Sequence, residues 1–224
     1  MLKIGVRLSR RFEDAGEYLA DARALDAAGV DSLWLGGDGY EPWLLLASIA
    51  AVTGQARLVA PVSAADGRAP AAFDTRAATL AQLSRRRSLL NVTAAGDADG
   101  VEAMIGAARR AGHRVLLEAA GREQVQKAAR LADGMVSLDG SPEQLKASLA
   151  LIQPVHDVSA PAEPFEVWAR IDMPADREAW RRMRQEFVDA GATGVIVPAD
   201  PRLLDLLRNG DEEDDRSDLT LAQG

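Results

Sequence analysis

Short apolar runs alternate with longer stretches of helical periodicity along nearly the whole chain. The runs fall at Lys3–Leu8, Ser32–Leu35, Arg57–Val62, Ser88–Thr93, Arg114–Glu118, Gly134–Leu138, Phe165–Ile171 and Gly194–Val197. Each is short and bounded by Gly, Pro or polar residues, as strands are. Helical patterns fill the intervals at Asp14–Ala28, Glu41–Thr53, Pro70–Leu83, Asp99–Ala111, Arg122–Leu131, Pro142–Ile152 and Ala175–Ala190, with a short one at Pro201–Arg208. Strands separated by helices pair in parallel through crossover connections. Eight such units in about 210 residues predict an α/β chain folded as a compact (β/α)8 TIM-type barrel. The rival, an open doubly wound sheet, wants a Gly-rich phosphate turn after its first strand. Leu8-Ser9-Arg10-Arg11 holds no glycine.

Residues at the helix ends agree with these boundaries. Ala28-Gly29 closes the first helix, because Gly tolerates the left-handed conformation just past a C-terminus. Glu41-Pro42 opens the second, with Pro where a missing N–H costs nothing. Ser141-Pro142-Glu143 supplies a cap, a Pro and a dipole-matched acid, and Pro174 with Asp176 does similar work for the next helix. There Trp180, Met183 and Phe187 share one helical face, which should pack onto the barrel. Arg85-Arg86-Arg87, the densest basic cluster, should cap a helix C-terminus. Pro154 to Pro164 reads as the loosest internal connection.

At 224 residues, 47% of them apolar, the chain can bury one substantial core, expected over residues 1–209. The net charge of −8 is uneven: Asp211 to Asp218 (DEEDDRSD) carries −5 of it. Residues 210–224 are therefore expected to form an acidic, disordered tail. Cysteine is absent, which excludes disulfides, thiolate metal sites and a Cys nucleophile. Met1-Leu2-Lys3-Ile4-Gly5-Val6 reads as a strand rather than a signal peptide. The apolar run near Trp43 to Val52 is too short to span a bilayer. A cytoplasmic protein with no membrane partner is the economical expectation. Nucleic acid is not expected either, since no basic stripe with interleaved aromatics occurs. A homodimer is compatible with the sequence.

In such barrels the chemistry lies at the carboxyl ends of the strands. Alternation puts Asn91 and Thr93 on one face of the fourth strand, Leu116 and Glu118 on one face of the fifth, Trp168 and Arg170 of the seventh, and Gly5 and Arg7 of the first. With the polar members inward, Arg7, Asn91, Thr93, Glu118 and Arg170 gather around one mouth. Two Arg and one Glu there suit an anionic ligand, or form an internal network that only satisfies buried charge. Glu118-Ala119-Ala120-Gly121-Arg122 runs from a strand end into a helix start, where free N–H groups favour a phosphate; a plain turn is the alternative. His113 and His156 read as surface residues away from the mouth. No spacing suggests a metal site or a Ser-His-acid triad.

Gly29-Val30-Asp31-Ser32-Leu33-Trp34, then Glu41-Pro42-Trp43, an Ala-rich helix and Arg57-Leu58, follow in order. Ala128-Ala129-Arg130-Leu131-Ala132-Asp133-Gly134 and Gly191-Ala192-Thr193-Gly194-Val195 continue the pattern. Together these resemble the luciferase-like superfamily of flavin- and deazaflavin-dependent oxidoreductases. The resemblance implies FMN or the deazaflavin coenzyme as cofactor, hydride transfer (with oxygen chemistry in the monooxygenases), and a small organic substrate. It assigns the cofactor phosphate to Ala120, Gly121 and Arg122. It also places Val62 and Ser63 beside a bulge with a cis peptide, here at Ala60-Pro61. Under that reading Arg7, Glu118 and Arg170, gathered by alternation, would set substrate placement and charge. Departures fall near the ring pocket. Asn91 and Thr93 stand where the family carries glycines, Arg85-Arg86 where it carries Gly-Gly, and Gly36-Gly37-Asp38 replaces an Asp-His pair. The long insertion after the fourth strand is absent. These departures leave open a flavin-binding barrel without turnover, or a structural, partner-binding subunit.

Overall fold

The computed structural model describes residues 1–63, 66, 70–93, 98–156 and 164–209. Its elements run β1 (Lys3–Ser9), α1 (Ala15–Ala27), β2 (Ser32–Gly36), α2 (Pro42–Val52), β3 (Arg57–Val62), α3 (Pro70–Leu83), β4 (Ser88–Val92) and α4 (Ala98–Arg110). They continue with β5 (Val115–Ala119), α5 (Arg122–Leu131), β6 (Gly134–Ser137), α6 (Pro142–His156), β7 (Glu166–Arg170), α7 (Arg177–Asp189), β8 (Gly194–Pro198) and α8 (Leu203–Asn209). All eight strands pair in parallel, each with the next, and β8 closes on β1. The closed ring excludes the open sheet.

Strand alternation divides the apolar residues into two populations. Leu33, Leu35, Leu58, Ala60, Leu90, Val92 and Leu117 point outward and join the helices in the main core. Trp34, Val59, Leu89, Leu116, Val136, Trp168 and Ile196 form a separate cluster inside the barrel. The two indoles dominate that layer, and glycines on adjoining strands make room for them. A Cβ at Gly5 would stand 2.5 Å from Trp34 Nε1, and one at Gly194 would stand 2.5 Å from the Trp168 ring. Each indole N–H bonds two residues back on its own strand, to Ser32 Oγ and Glu166 Oε2, both at 2.8 Å.

Below this layer, at the amino ends of the strands, Glu166 takes Arg57 at 2.8 Å, Arg114 at 3.3 Å and Lys3 at 3.5 Å. Burial raises the Glu166 pKa, but hydrogen bonds from Arg57 and Trp168, with the charges of Arg57 and Lys3, lower it on balance. At the same end Asp26 accepts the N–H groups of Gly54, Gln55 and Ala56, tying α1 to the loop before β3.

The expected caps form at Glu41, Ser141 and Asp176, which accept from Leu44, Gln144 and Ala179. Gly29 has φ +84°. The Trp180 and Phe187 face is buried against the barrel. Several boundaries differ from expectation. Helix α6 continues through Pro154 to His156 rather than stopping at Ile152. Helix α7 starts at Arg177, with Asp176 as cap, so Pro174 lies outside it. Arg85 and Arg86 do cap α3, through the backbone rather than by side-chain charge: at φ 53° and 60° their N–H groups donate to the carbonyls of Gln82 and Ala81. Arg87 reaches the end of α2 instead, donating to the carbonyls of Thr53 and Ala56. The acidic 210–224 segment and residues 157–163 of the Pro-rich connection lie outside the described residues. Among the described residues no helix is long and apolar enough to cross a membrane.

Candidate active site

One pleat above the tryptophan layer, the inward positions turn polar. Arg7 pairs in register with Trp34 and Pro198, Asn91 with Leu116, and Arg170 with Ile196. These residues, with Thr93 and Glu118, line a pocket of about 450 Å³ at the carboxyl ends of the strands. Trp34 and Ile196 contribute to its lining, and Pro61, Val62 and Ser63 edge it on the β3 side.

Its deepest polar contacts converge on one atom. Glu118 Oε1 accepts from Arg170 Nη2 at 2.6 Å and from Asn91 Nδ2 at 3.1 Å. Asn91 is only 5% exposed. Its Oδ1, and Nε of Arg170, are buried without a partner among the described residues. Arg7 runs across β2: a Cβ at Gly36 would meet Arg7 Cδ at 2.5 Å and Cγ at 2.7 Å. The guanidinium of Arg7 has a lowered pKa. Burial is the main cause, followed by the Arg170 charge, together outweighing the opposite pull of Asp172 and Glu118.

The rim carries a second set of charges that sequence reasoning missed. Arg76 pairs with Asp66 at 3.3 Å and Glu41 at 3.9 Å, and lies over the Trp43 ring. Ser63 donates its N–H and hydroxyl to Asp66. Arg10 donates to the carbonyls of Gly37 and Tyr40. These contacts come from loops and helix starts, where strand alternation says nothing; only the capping position of Glu41 was readable.

Two expectations change, the cis bond with its bulge and the surface placement of His113. The Ala60-Pro61 bond is trans, and the β3–β4 ladder runs unbroken from Leu58–Ser88 to Val62–Val92, with no bulge. Two regular strands leave no room for one. Val62 packs into the main core and also edges the pocket. Ala120, Gly121 and Arg122 are exposed at the start of α5, and none lines the mouth pocket. The Ala120 N–H is already taken by Gln124 Oε1 at 2.6 Å, while Gly121, with φ +85°, caps α5 without a side chain. His113 is buried rather than on the surface, 7% exposed at the opposite end of the barrel. Burial, then the Arg86 charge, lowers its pKa. Among the described residues no cluster of His, Cys, Asp and Glu could hold a metal ion.

No protein-family model matches the chain, and no curated protein matches it. Solved structures do. The coenzyme F420-dependent tetrahydromethanopterin reductase from Methanopyrus kandleri superposes with a TM-score of 0.75 at 12% identity, covering 94% of this chain and 98% of that one. A long-chain alkane monooxygenase gives 0.73 at 10% identity, covering 92% and 89%. An F420-dependent secondary alcohol dehydrogenase, bound to an F420-acetone adduct, gives 0.72 at 12% identity, covering 93% and 96%. At these identities the likeness is one of fold: the chain shares the closed (β/α)8 barrel of these oxidoreductases.

Proposed function

We propose that the protein is a luciferase-like oxidoreductase that holds FMN or the deazaflavin coenzyme in the mouth pocket and acts on a small organic molecule. The observation that carries this reading is the pocket itself. It has the volume of a small-molecule site, lies where barrel enzymes carry their chemistry, and is lined by Asn91 and Arg170, whose buried Oδ1 and Nε have no partner among the described residues. The edge of a flavin or deazaflavin ring presents both carbonyl acceptors and an N–H donor, so the two orphaned atoms suit it. Asn91 would accept from the ring N–H, and Arg170 would donate to a carbonyl. Trp34 would back the ring with apolar surface. When bound, the cofactor would accept or deliver hydride.

The chain's own residues would bind, orient and balance charge. Arg7 and Arg170 place positive charge where a reduced ring becomes anionic. Glu118 fixes the position of Arg170. The cofactor phosphate is proposed for Gly121 and Arg122 at the α5 start, where N–H groups and the helix dipole favour it; the Ala120 amide, held by Gln124, contributes nothing there. A second reading, a barrel that binds flavin without turnover, is favoured by the buried Asn91 side chain at a family glycine position. Visible titration with FMN and with coenzyme F420 tests the first step. One cofactor should bind with a perturbed spectrum, and an unperturbed spectrum for both would overturn the proposal. Turnover with a reductant then separates the two readings.

A further inference from the structure

The mouth is unbalanced in charge. At its base two guanidiniums, Arg7 and Arg170, face one carboxylate, Glu118, and that carboxylate is engaged by Arg170 and Asn91. The rim arginines are satisfied: Arg10 by backbone carbonyls, Arg76 by Asp66 and Glu41. Among the described residues that line the pocket, Arg7 is the cation with neither hydrogen bond nor ion pair. Its stem is held across Gly36, so the head is placed by packing rather than by a partner. Asp172 is near enough to act on it through space but does not bond it.

We infer that this site takes a substrate bearing a carboxylate, bound as a monoanion between Arg7 and Arg170. The Arg7 head, bonded to no carboxylate, has room for a single anionic partner. Donors on two guanidiniums, the free fork of Arg7 and the part-exposed side chain of Arg170, match the two oxygens of a carboxylate. Such a ligand would relieve the repulsion between the arginines, and burial would strengthen the attraction. The inference names the substrate class for the site proposed above. It rests on that reading for turnover, while its binding test needs no cofactor.

The experiment is calorimetric titration of the full chain with benzoate, with its neutral isostere benzamide, and with inorganic phosphate. Benzoate should bind at least tenfold tighter than benzamide. Arg7→Met should abolish that preference, and Arg7→Lys should keep part of it. Glu118→Gln, which frees Arg170, should tighten benzoate several-fold. Circular dichroism melts on each variant check that the fold persists. Equal affinity for benzoate and benzamide, no binding of either, or an unchanged preference in Arg7→Met would overturn the inference, and phosphate binding tighter than benzoate would overturn the monoanion assignment. FMN and F420 titrations on the same preparations keep the two claims apart. A carboxylate preference without cofactor binding removes the oxidoreductase reading alone; cofactor binding without that preference removes the inference alone.

Discussion

Trp168 stands edge-on to Trp34 inside the barrel, ring centroids 5.5 Å apart and planes at 62°. This pair plugs the barrel and separates two charged ends, the Glu166 cluster below and the Arg7, Glu118 and Arg170 mouth above. Aromatic pairs in this geometry contribute beyond their buried area. The packing leaves no slack on the neighbouring strands.

Gly194→Ala should therefore destabilise the fold by about 1–3 kcal/mol, since the new methyl must displace the Trp168 ring. Urea unfolding with tryptophan fluorescence measures it. Unchanged stability would mean that the indole moves freely.

Acid should act through Glu166. Its pKa lies below the ordinary value of 4.5, so the stability it contributes is complete above that value and lost as pH falls through the lower folded-state pKa. Glu166→Gln leaves three cations around an uncharged group, and should cost about 3 kcal/mol at neutral pH. The gap between the two proteins should stay constant down to about pH 4.5 and close below it, read by denaturant unfolding at stepped pH.

Arg85 and Arg86 hold left-handed backbone at φ 53° and 60°. Non-glycine residues there are disfavoured by about 1–2 kcal/mol each, an effect partly offset because glycine also loosens the unfolded chain. Arg85→Gly and Arg86→Gly should each raise stability, by up to about 1 kcal/mol. A fall in the unfolding midpoint would show that the side chains contribute more than the strain removes.

Much of this architecture was readable before any coordinates. Eight apolar runs and the helical intervals between them placed every element to within a few residues, because parallel strands buried on both faces leave a plain signal. Alternation alone also assembled Arg7, Asn91, Glu118 and Arg170 at one end. What sequence missed lay where alternation stops. The Asp66, Arg76 and Glu41 rim, the Gln124 contact to Ala120, and the long reach of Arg87 depend on side-chain conformers of loops and helix ends. Glu166, which shares parity with Trp168 and Arg170, went unread because its partners come from three other strand starts. The trans Ala60-Pro61 bond shows the limit of inference by resemblance, since a regular ladder needs no bulge there.

The α5 start can be tested separately from the mouth. Arg122→Glu reverses a charge beside the proposed phosphate position and should weaken FMN about tenfold or more. Riboflavin, which lacks the phosphate, should bind both proteins alike. Equal loss for the two ligands would place the phosphate elsewhere.

The central claim is that the cofactor ring sits in the mouth against Asn91. The dissociation constant of the cofactor for the parent chain and for Asn91→Leu, followed by visible absorption, tests it directly. Losing the buried acceptor should weaken binding about tenfold while the fold is retained. Equal affinity in the two proteins would contradict the account.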